Sequence, residues 1–483
     1  MKSISKIFIL ALFAGLGLGE LCAQSILDPY HFAGSSPTGT ARFTALGGAF
    51  ASVGGDASGV GLNPAGAGLF LNSQFDVSLG LNTAGSSILN QSDFTGEIGL
   101  PAASVIFHFP VANNKWKAVN VGFSSSRTSS HSRTLAFDQK TNAPNSMVDF
   151  FLAQANGIPV ENLESESFFG FMAFQTFIID TLPGSNDQYG TQAQGESRQF
   201  IEQTRRGKSS DVDFSVSGNY DNRLYVGVSL GFSNFSVNDE FLNVEDFENS
   251  SLNKVTFNDE NQRDGGAFNF KIGAIFRPIE ALRIGAYYHA PKLYRLSSNY
   301  NAYAASEFTD GAEYSLREPF AEYLYRFKIP SKYGFGVSYI LGKMALISMD
   351  FEQMQLQKSY FAALSALPGE GADKSFYRQE NLTMATSYIP LTTVRAGLEL
   401  KFNNFYVRGG VHYQSNPLED SFSDFTDRTT YTGGLGLRLK TMSLDLYTSY
   451  TQNTEGYLPY DGAVLQTVKY NALNFGAGAS FFF

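Results

Sequence analysis

Cysteine is almost absent from this chain, since Cys22 is the one cysteine among 483 residues. It follows an apolar run over residues 7–18, which is preceded by two lysines and is too short to cross a bilayer. This pattern predicts a cleaved export signal over residues 1–23, with the cut after Ala23. The mature chain would contain no cysteine, which excludes disulfides as the source of stability of an exported protein.

Cys22 leaves one alternative open, which is a lipidated N-terminus. Leu21 stands where the lipidation motif has Gly or Ala, and this speaks against that processing. Leu21 is also larger than the residue that usually stands three positions before a signal-cleavage site. The cleaved signal is therefore the prediction, and the exact bond stays open.

A second long apolar run is missing as well. A helical membrane protein needs spans of about 20 apolar residues, so that class is excluded. The chain nevertheless carries 44 Phe, 25 Tyr and 47 Gly while only 43% of its residues are hydrophobic. Aromatic and glycine enrichment at modest hydrophobicity is typical of membrane β-barrels, in which only alternate residues meet lipid. A soluble all-β sandwich is the alternative.

Catalytic and metal-binding motifs are also lacking. The sequence has no Gly-x-Ser-x-Gly and no His-Glu-x-x-His, and its histidines, His31, His108, His131, His289 and His412, are scattered singly. We expect no enzyme, no metal site and no cofactor, although a site built from distant strands would escape such a search. The net charge of −10 argues against nucleic acid as a partner.

The most regular pattern in the chain is its last strand, from Asn471 to Phe483. Apolar residues occupy one face and small or polar residues the other, as the wall of a closed barrel in lipid requires. The terminal Phe483 resembles the signal by which Gram-negative outer-membrane barrels are recognised for insertion. We therefore expect the barrel-assembly machinery as a partner.

Strand-like alternation recurs along the rest of the chain and gives fourteen candidates. They lie near 75–83, 101–110, 117–127, 209–220, 223–234, 265–277, 282–290, 325–340, 344–352, 392–402, 404–415, 431–440, 442–451 and 471–483. Tight turns alternate with long connections, as in outer-membrane barrels. The sequence thus predicts an all-β transmembrane antiparallel β-barrel of about 14 strands over 73–483, with long extracellular loops, of which 128–208 is the longest.

Charged residues on these strands fall mostly on the face opposite the apolar one. A two-residue turn at 403–404 fixes the neighbouring register. The predicted pairs are Phe402 with Phe405, Glu399 with Arg408, and Arg395 with His412. Arg395 and Arg408 would then face the lumen, where they are candidates to bind a ligand carboxylate. The alternative is that Glu399 and its neighbours neutralise them and brace the wall.

Residues 24–72, between the signal and the first strand, are Gly- and Ala-rich and show no strand alternation. A segment this long that precedes a barrel and does not fit its wall is best placed inside the lumen. We predict that it is a hatch, a plug in the barrel.

The motifs of this segment resemble those of the FadL/TodX family of outer-membrane transporters, in the Bacteroidetes-type branch. The order Gly-x-Ala-Arg, Gly-Gly-Ala, Asp-Ala, Asn-Pro-Ala carries the resemblance. Its hatch residues would be Arg42, Gly47, Gly48, Asp56, Asn63, Pro64 and Ala65. The resemblance implies a fourteen-stranded barrel, a hatch, and passage of fatty acids or aromatic hydrocarbons with lateral exit beside a kinked third strand. That strand contains no proline here, so the lateral gap is an open expectation.

The long loop at 128–208 is rich in phenylalanine. The resemblance implies a hydrophobic cleft that captures ligand, formed by Phe168, Phe171, Phe174 and Phe177; helices packed as a cap are the alternative. Acidic residues within 239–260 are predicted to form a solvated face, bridged to lipopolysaccharide by divalent cations.

These observations predict a passive channel in the Gram-negative outer membrane for hydrophobic small molecules, most of all long-chain fatty acids. The alternative is a FadL-like barrel that docks partner proteins in a type IX-like secretion complex. An apolar binding site in the lumen would favour the channel. Stable secretion-complex partners would favour docking.

The C-terminal strand yields a first test. We expect the folded protein to migrate differently on a denaturing gel before and after boiling, because a closed barrel resists detergent until heated. Deletion of Phe483 should reduce the heat-modifiable fraction recovered from membranes. Identical migration of both samples, together with a soluble periplasmic location, would contradict the barrel.

Overall fold

The protein is described by a computed structural model that covers residues 28–34, 36–111, 115–141, 144–364, 371–419 and 425–483. The predicted signal peptide, including Cys22, lies outside the described residues, as do the first residues of the predicted hatch. Within the described ranges, no helix is both long and apolar enough to cross a membrane.

Fourteen antiparallel strands form a closed wall, which confirms the predicted fold class. The strands of the chain are β1 (Gln74–Ile88), β2 (Gln91–Pro110), β3 (Trp116–Ser130), β4 (Arg133–Thr141), β5 (Asp180–Thr181), β6 (Tyr189–Gly190), β7 (Ser197–Tyr220), β8 (Leu224–Phe247), β9 (Leu252–Ile279), β10 (Leu282–His289), β11 (Lys292–Phe308), β12 (Glu313–Ile329), β13 (Lys332–Leu341), β14 (Ala345–Met354), β15 (Tyr360–Ala363), β16 (Leu391–Phe402), β17 (Phe405–Gln414), β18 (Arg428–Arg438), β19 (Met442–Tyr457) and β20 (Gln466–Phe482). The wall runs β1-β2-β3-β7-β8-β9-β10-β13-β14-β16-β17-β18-β19-β20, and β20 pairs with β1 to close it.

The other elements lie on or inside this wall. Strand β4 pairs with β7, the β11–β12 hairpin extends from β9, and β15 pairs with β12. The helices are α1 (Asp28–Ala33), α2 (Ala41–Ala45), α3 (Ala57–Leu62), α4 (Met147–Ala155), α5 (Val160–Glu166), α6 (Phe168–Gln175) and α7 (Gly371–Ser387), with 3₁₀ helices at Pro64–Leu69 and Leu356–Lys358.

The alternation predicted for the wall strands is present. On β8, Val228 and Leu230 are 47% and 62% exposed on the outside, whereas Ser229 between them is buried inside. The outside is therefore an apolar band suited to lipid, and charged side chains lie in the lumen. An Arg or Lys on the lipid face would cost about 2–4 kcal/mol at the bilayer midplane.

The register predicted for the hairpin at 403–404 is confirmed in full. Phe402 lies opposite Phe405, Glu399 opposite Arg408, and Arg395 opposite His412. The turn is tight, with Asn403 at a φ of 55°. Side chains alternate between the two faces on both strands, so a shift by one residue would move the charged side chains to the outside. Together with the tight turn, this leaves one register.

Several connections predicted as long loops are instead extensions of the wall strands. Residues 84–100 form a continuous hairpin of β1 and β2 that turns at Leu89 and Asn90, and 235–264 is mostly β8 and β9. The connection predicted at 128–208 is shorter, because β7 already begins at Ser197. The inner faces of these extensions pack on a cap, as Phe257 does, but their sequences mix polar and apolar residues without the regular alternation that marks a strand.

Helices α4 to α6 form an apolar cap inside the long-loop end of the barrel. Phe151 is fully buried and contacts Phe257 of β9, and the cluster also includes residues of β1, β4, β7, β11 and β20. The acidic residues between 239 and 260 are not all solvated, which corrects that prediction. Glu245 is fully buried and accepts a hydrogen bond from the backbone N–H of Met147, at 3.0 Å, at the start of α4.

The buried Glu245 makes the cap sensitive to pH. It lies 21 positions beyond the start of β8 at Leu224, far past the 9–11 residues that cross a bilayer. Burial, followed by the nearby charge of Asp149, raises the pKa of Glu245 from 4.5 to about 7. Because the pKa of Glu245 is higher in the folded than in the unfolded protein, its protonation contributes stability at pH values below the unfolded-state pKa. This contribution is lost as the pH rises through the folded-state pKa.

We therefore expect hydrogen-exchange protection of Met147–Ala155 to fall between pH about 4.5 and pH about 7, by on the order of a few kcal/mol. Glu245→Gln should flatten this dependence, because the amide stays neutral. The control is Glu248→Gln, which removes an exposed carboxyl three residues away. Equal pH profiles for the wild type and Glu245→Gln would contradict the assignment.

Candidate functional site

Residues 36–70, here called the lumen segment, lie inside the barrel and are held together by three short polar side chains. Thr40 donates its hydroxyl to the Asp56 carboxylate at 2.9 Å, and Asp56 accepts the N–H of Gly59 at the start of α3. Asn63 accepts the N–H of Ala65 at 3.1 Å and so begins the 3₁₀ helix. These N-terminal caps explain why a Gly- and Ala-rich stretch folds at all.

The lumen segment winds around the inner wall. Its contacts follow the order of the wall strands: Ala41 lies against Gly478 of β20, Ala45 against Gly434 of β18, Leu46 against Gly410 of β17 and Gly397 of β16, Ala51 against Gly336 of β13 and Gly285 of β10, Asn63 against Gly273 of β9, and Pro64 against Gly227 of β8. A Cβ added at any of these eight glycines would come within 3.2 Å of the segment. The glycines therefore form an inner belt that leaves room for it.

Polar contacts tie the segment to the wall at a few points. Asp350 of β14 accepts the N–H of Ala51 at 2.8 Å. Arg42 donates to Glu399 of β16 at 2.9 Å and stays 25% exposed. The seven predicted hatch residues all lie in this segment, and they fold it, anchor it or let it approach the wall; whether it opens as a hatch stays a prediction.

The predicted carboxylate-binding arginines are both occupied by protein carboxylates. Arg395 donates to Glu352 at 3.1 Å. Arg408 donates to Glu399 at 2.6 Å and to Asp445 at 2.5 Å. All these side chains are buried, and the arrangement favours the bracing alternative over ligand binding.

Of the four phenylalanines predicted to form a ligand cleft, three pack within the cap and the fourth is exposed beside it. Phe168 contacts Tyr300, Phe174 contacts Tyr189, and Phe171 packs on the same cluster. Phe177 is 46% exposed and contacts Tyr314. This arrangement favours the packed cap, and a role of the four rings in capture stays a prediction.

Sequence reasoning missed an aromatic site around α1, in the upper lumen. The Phe32 ring stacks on Phe235 with 3.9 Å between ring centroids, and it contacts Tyr294 and Phe327 at 5.3 and 4.9 Å. These wall residues come from β8, β11 and β12. No local pattern marks them as neighbours, because strands distant in sequence bring them together.

The wall also contains a window between β2 and β3. Their ladder ends at the pair Ala102 and Ser126, so that β2 residues 91–99 pair with β1 but not with β3. Higher up, Asp93 accepts the N–H of Ala136 of β4 at 2.7 Å and closes the opening from above. Pro101, which has no N–H to donate, is the one sequence signal for this break.

A polar cavity of about 160 Å³ lies behind the window, here called the upper cavity. Thr95 and Glu97 line it from β2, residues 129–133 from the ends of β3 and β4 and their connection, and Arg428 and Glu455 from β18 and β19. Arg127 bridges the window by an ion pair with Glu97 at 3.2 Å.

The comparisons with known proteins agree with this architecture. No protein-family model matches the sequence, and no curated protein is significantly similar to it. Solved structures match nearly the whole chain. They include a Pseudomonas aeruginosa FadL homologue (12% identity, TM-score 0.57, 93% of this chain and 99% of that chain), the CymD monoaromatic hydrocarbon channel (13%, 0.51, 93% and 98%) and the P. putida toluene transporter TodX (13%, 0.51, 93% and 99%). At identities this low, the structural likeness establishes a shared fold.

The glycine belt yields a direct test. We expect Gly410→Val to displace the lumen segment, because its Cβ would come within 2.5 Å of the Gly47 nitrogen, and overpacking of this kind costs about 1–3 kcal/mol or more. Hydrogen exchange over residues 41–70 should accelerate while heat-modifiability of the wall persists.

The matched control is Gly409→Val on the opposite face of the same strand. Its nearest contact would be Thr432 O at 3.8 Å, so the segment should stay protected. Equal exchange in both variants would show that the belt does not hold the segment.

Proposed function

We propose that the protein is an outer-membrane channel for the passive uptake of hydrophobic small molecules, with long-chain fatty acids as the main candidates. The window between β2 and β3 is the observation that carries the proposal. It opens the wall sideways in front of a cavity, whereas the lumen segment occupies the direct way through the barrel. A hydrophobic solute leaving sideways enters the apolar phase without crossing water.

The aromatic site around Phe32 supports an apolar part of the path. Phe235, Tyr294 and Phe327 hold the Phe32 ring, so displacement of α1 would leave a surface that suits an alkyl chain or an aromatic ring. Each buried CH₂ contributes about 0.8 kcal/mol, which is sufficient to draw a long chain from a dilute solution without an energy source.

The polar lining of the upper cavity favours an amphipathic ligand over a pure hydrocarbon. Arg428 lines the cavity, and its guanidinium lies 3.7 Å from Glu455. Asn and Thr side chains supply further hydrogen-bonding groups. A carboxylate head could be bound here while its chain lies against the aromatic site, which is the reason for preferring fatty acids.

The fold likeness supports the same class of ligand by analogy. CymD is described as a monoaromatic hydrocarbon channel and TodX as a toluene transporter. Enzymatic activity has no support in the motifs of the chain. Contacts with lipopolysaccharide and with the barrel-assembly machinery stay predictions.

The test blocks the window with a thiol reagent. Thr95→Cys places a thiol in the lining of the window, in a mature chain predicted to lack cysteine. Modification with a bulky maleimide should abolish uptake of a labelled long-chain fatty acid into cells and leave the barrel folded. Thr448→Cys, on the outer face of β19, is the matched control and should transport normally after the same treatment.

Binding to the purified, delipidated protein separates the candidate ligands. Saturable binding of fatty acid supports the proposal, and toluene binding alone would move it to hydrocarbons. Normal uptake after modification of Thr95→Cys would refute lateral exit. Binding of neither class, with stable secretion-complex proteins co-purifying instead, would support the docking alternative.

A further inference from the structure

A second polar cavity lies below the upper cavity, on the same side of the lumen. This lower cavity, of about 270 Å³, lies between part of the lumen segment and the wall strands β1 and β16 to β20. Asp56 and Arg42 line it from the segment, and Asp76, Ser78 and Asp445 line it from the wall. It opens toward the end of the barrel with the short turns, where β20 ends and β1 begins.

On β1 and β20, one tier of inward residues separates the two cavities. On β1, Ser78 lines the lower cavity and Asn82 lines the upper cavity. On β20, Gly478 and Asn474 do the same. Four residues of strand span about 13 Å, so the intervening tier is the whole barrier between the cavities on this side.

That tier is a row of three glycines. Gly476 of β20 lies opposite Gly80 of β1, and Gly80 lies opposite Gly99 of β2. The row leaves a groove across the inner wall that no side chain of its own fills. The eight glycines of the belt make room for the lumen segment. The three glycines of this row are covered instead by two side chains, which extend from β19 and β3 at the two ends of the row.

Tyr447 and Arg127 fill the groove from opposite sides. Tyr447 of β19 lies opposite Gly476, and its hydroxyl would be 2.6 Å from a Cβ at Gly80. Arg127 of β3 extends its guanidinium over Gly99, where a Cβ would overlap it. The tips of the two side chains thus lie over neighbouring glycines.

The packing of the two side chains differs from that of the bracing ion pairs. Tyr447 contacts Ala41 and Ala45 of α2, which offer only methyl groups. Arg127 holds Glu97 through one terminal nitrogen, and its Nη1 has no hydrogen-bond partner among the described residues. Rotation of these side chains would connect the cavities without moving any backbone.

We propose that Tyr447 and Arg127 close a polar passage beside the lumen segment, so that the barrel conducts water and small ions when they move aside. The passage shares the upper cavity with the lateral route for hydrophobic molecules and leaves it in another direction, through the lower cavity, whose lining is polar and charged. Its lower end opens at the short-turn end of the barrel, not into lipid.

The test is the conductance of the purified protein in planar bilayers bathed in potassium chloride. Tyr447→Ala should give steady open-channel currents where the wild type gives none or brief openings, and Tyr447→Ala with Arg127→Ala should conduct more. Tyr447→Phe keeps the ring and should stay closed. Tyr450→Ala, which removes a ring 42% exposed on the outer face of the same strand, should behave as wild type.

Hydrogen exchange distinguishes this passage from loss of the lumen segment. Gly410→Val, which is expected to displace the segment, provides the exchange rate that accompanies displacement. Currents of Tyr447→Ala with exchange over residues 46–70 as slow as in the wild type support the passage.

Two results would overturn the proposal. One is a folded, heat-modifiable Tyr447→Ala protein without added conductance. The other is a current accompanied by exchange over residues 46–70 as fast as in Gly410→Val, because it would then come from displacement of the segment. Neither result depends on whether fatty acid is taken up.

Discussion

The close approach of the lumen segment to the inner wall is the constraint on which the rest of the structure depends. Eight wall strands carry a glycine where the segment passes, and a Cβ at any of them would come within 3.2 Å of it. Carbon atoms attract best at about 3.5–4.0 Å, so no room is left for a wall side chain at these points. The wall therefore presents only backbone to the segment there. The segment is thus held by shape and by wall side chains that bond its backbone carbonyls, such as Asn120 at Ala67, Arg283 at Val53 and Thr432 at Ala45.

Buried ion pairs between second-neighbour strands make a second contribution to the stability of the barrel. Lys271 of β9 contacts Asp213 of β7 at 2.7 Å, with β8 between them, and Arg408 of β17 contacts Asp445 of β19 across β18. Removal of one member of such a pair costs about 3–5 kcal/mol, because the other charge is left buried alone. The pairs therefore link second neighbours in a wall whose backbone hydrogen bonds link only first neighbours.

The sequence predicted what depends on local periodicity, and it failed where distant strands meet. The number of wall strands and the register at 403–404 follow from alternation and turn length, and both are confirmed. The strand candidate at 325–340 was wrong in part, because residues 325–329 end β12 and the wall strand β13 begins at Lys332. Glu399 was predicted as a partner of Arg408, whereas Glu352 and Asp445 were beyond reach, because they lie on strands whose relative stagger no local pattern fixes. The strand extensions were missed for a different reason: above the lipid band, residues such as Glu245 are buried under a cap that the sequence presents as a polar loop.

The N-terminal position of the lumen segment has a consequence for assembly. Arg42 is bonded to a residue 357 positions later in the chain, and Ala41 lies against β20, the strand that closes the wall. The segment is enclosed, so it must be inside before β20 pairs with β1, or it would have to thread through a finished barrel. Closure therefore waits for the slowest, most distant contacts in the chain, as loop-closure entropy leads one to expect. The glycine belt thus joins residues near the beginning of the described chain to strands that extend to its end, and its contacts are among the least local in the molecule.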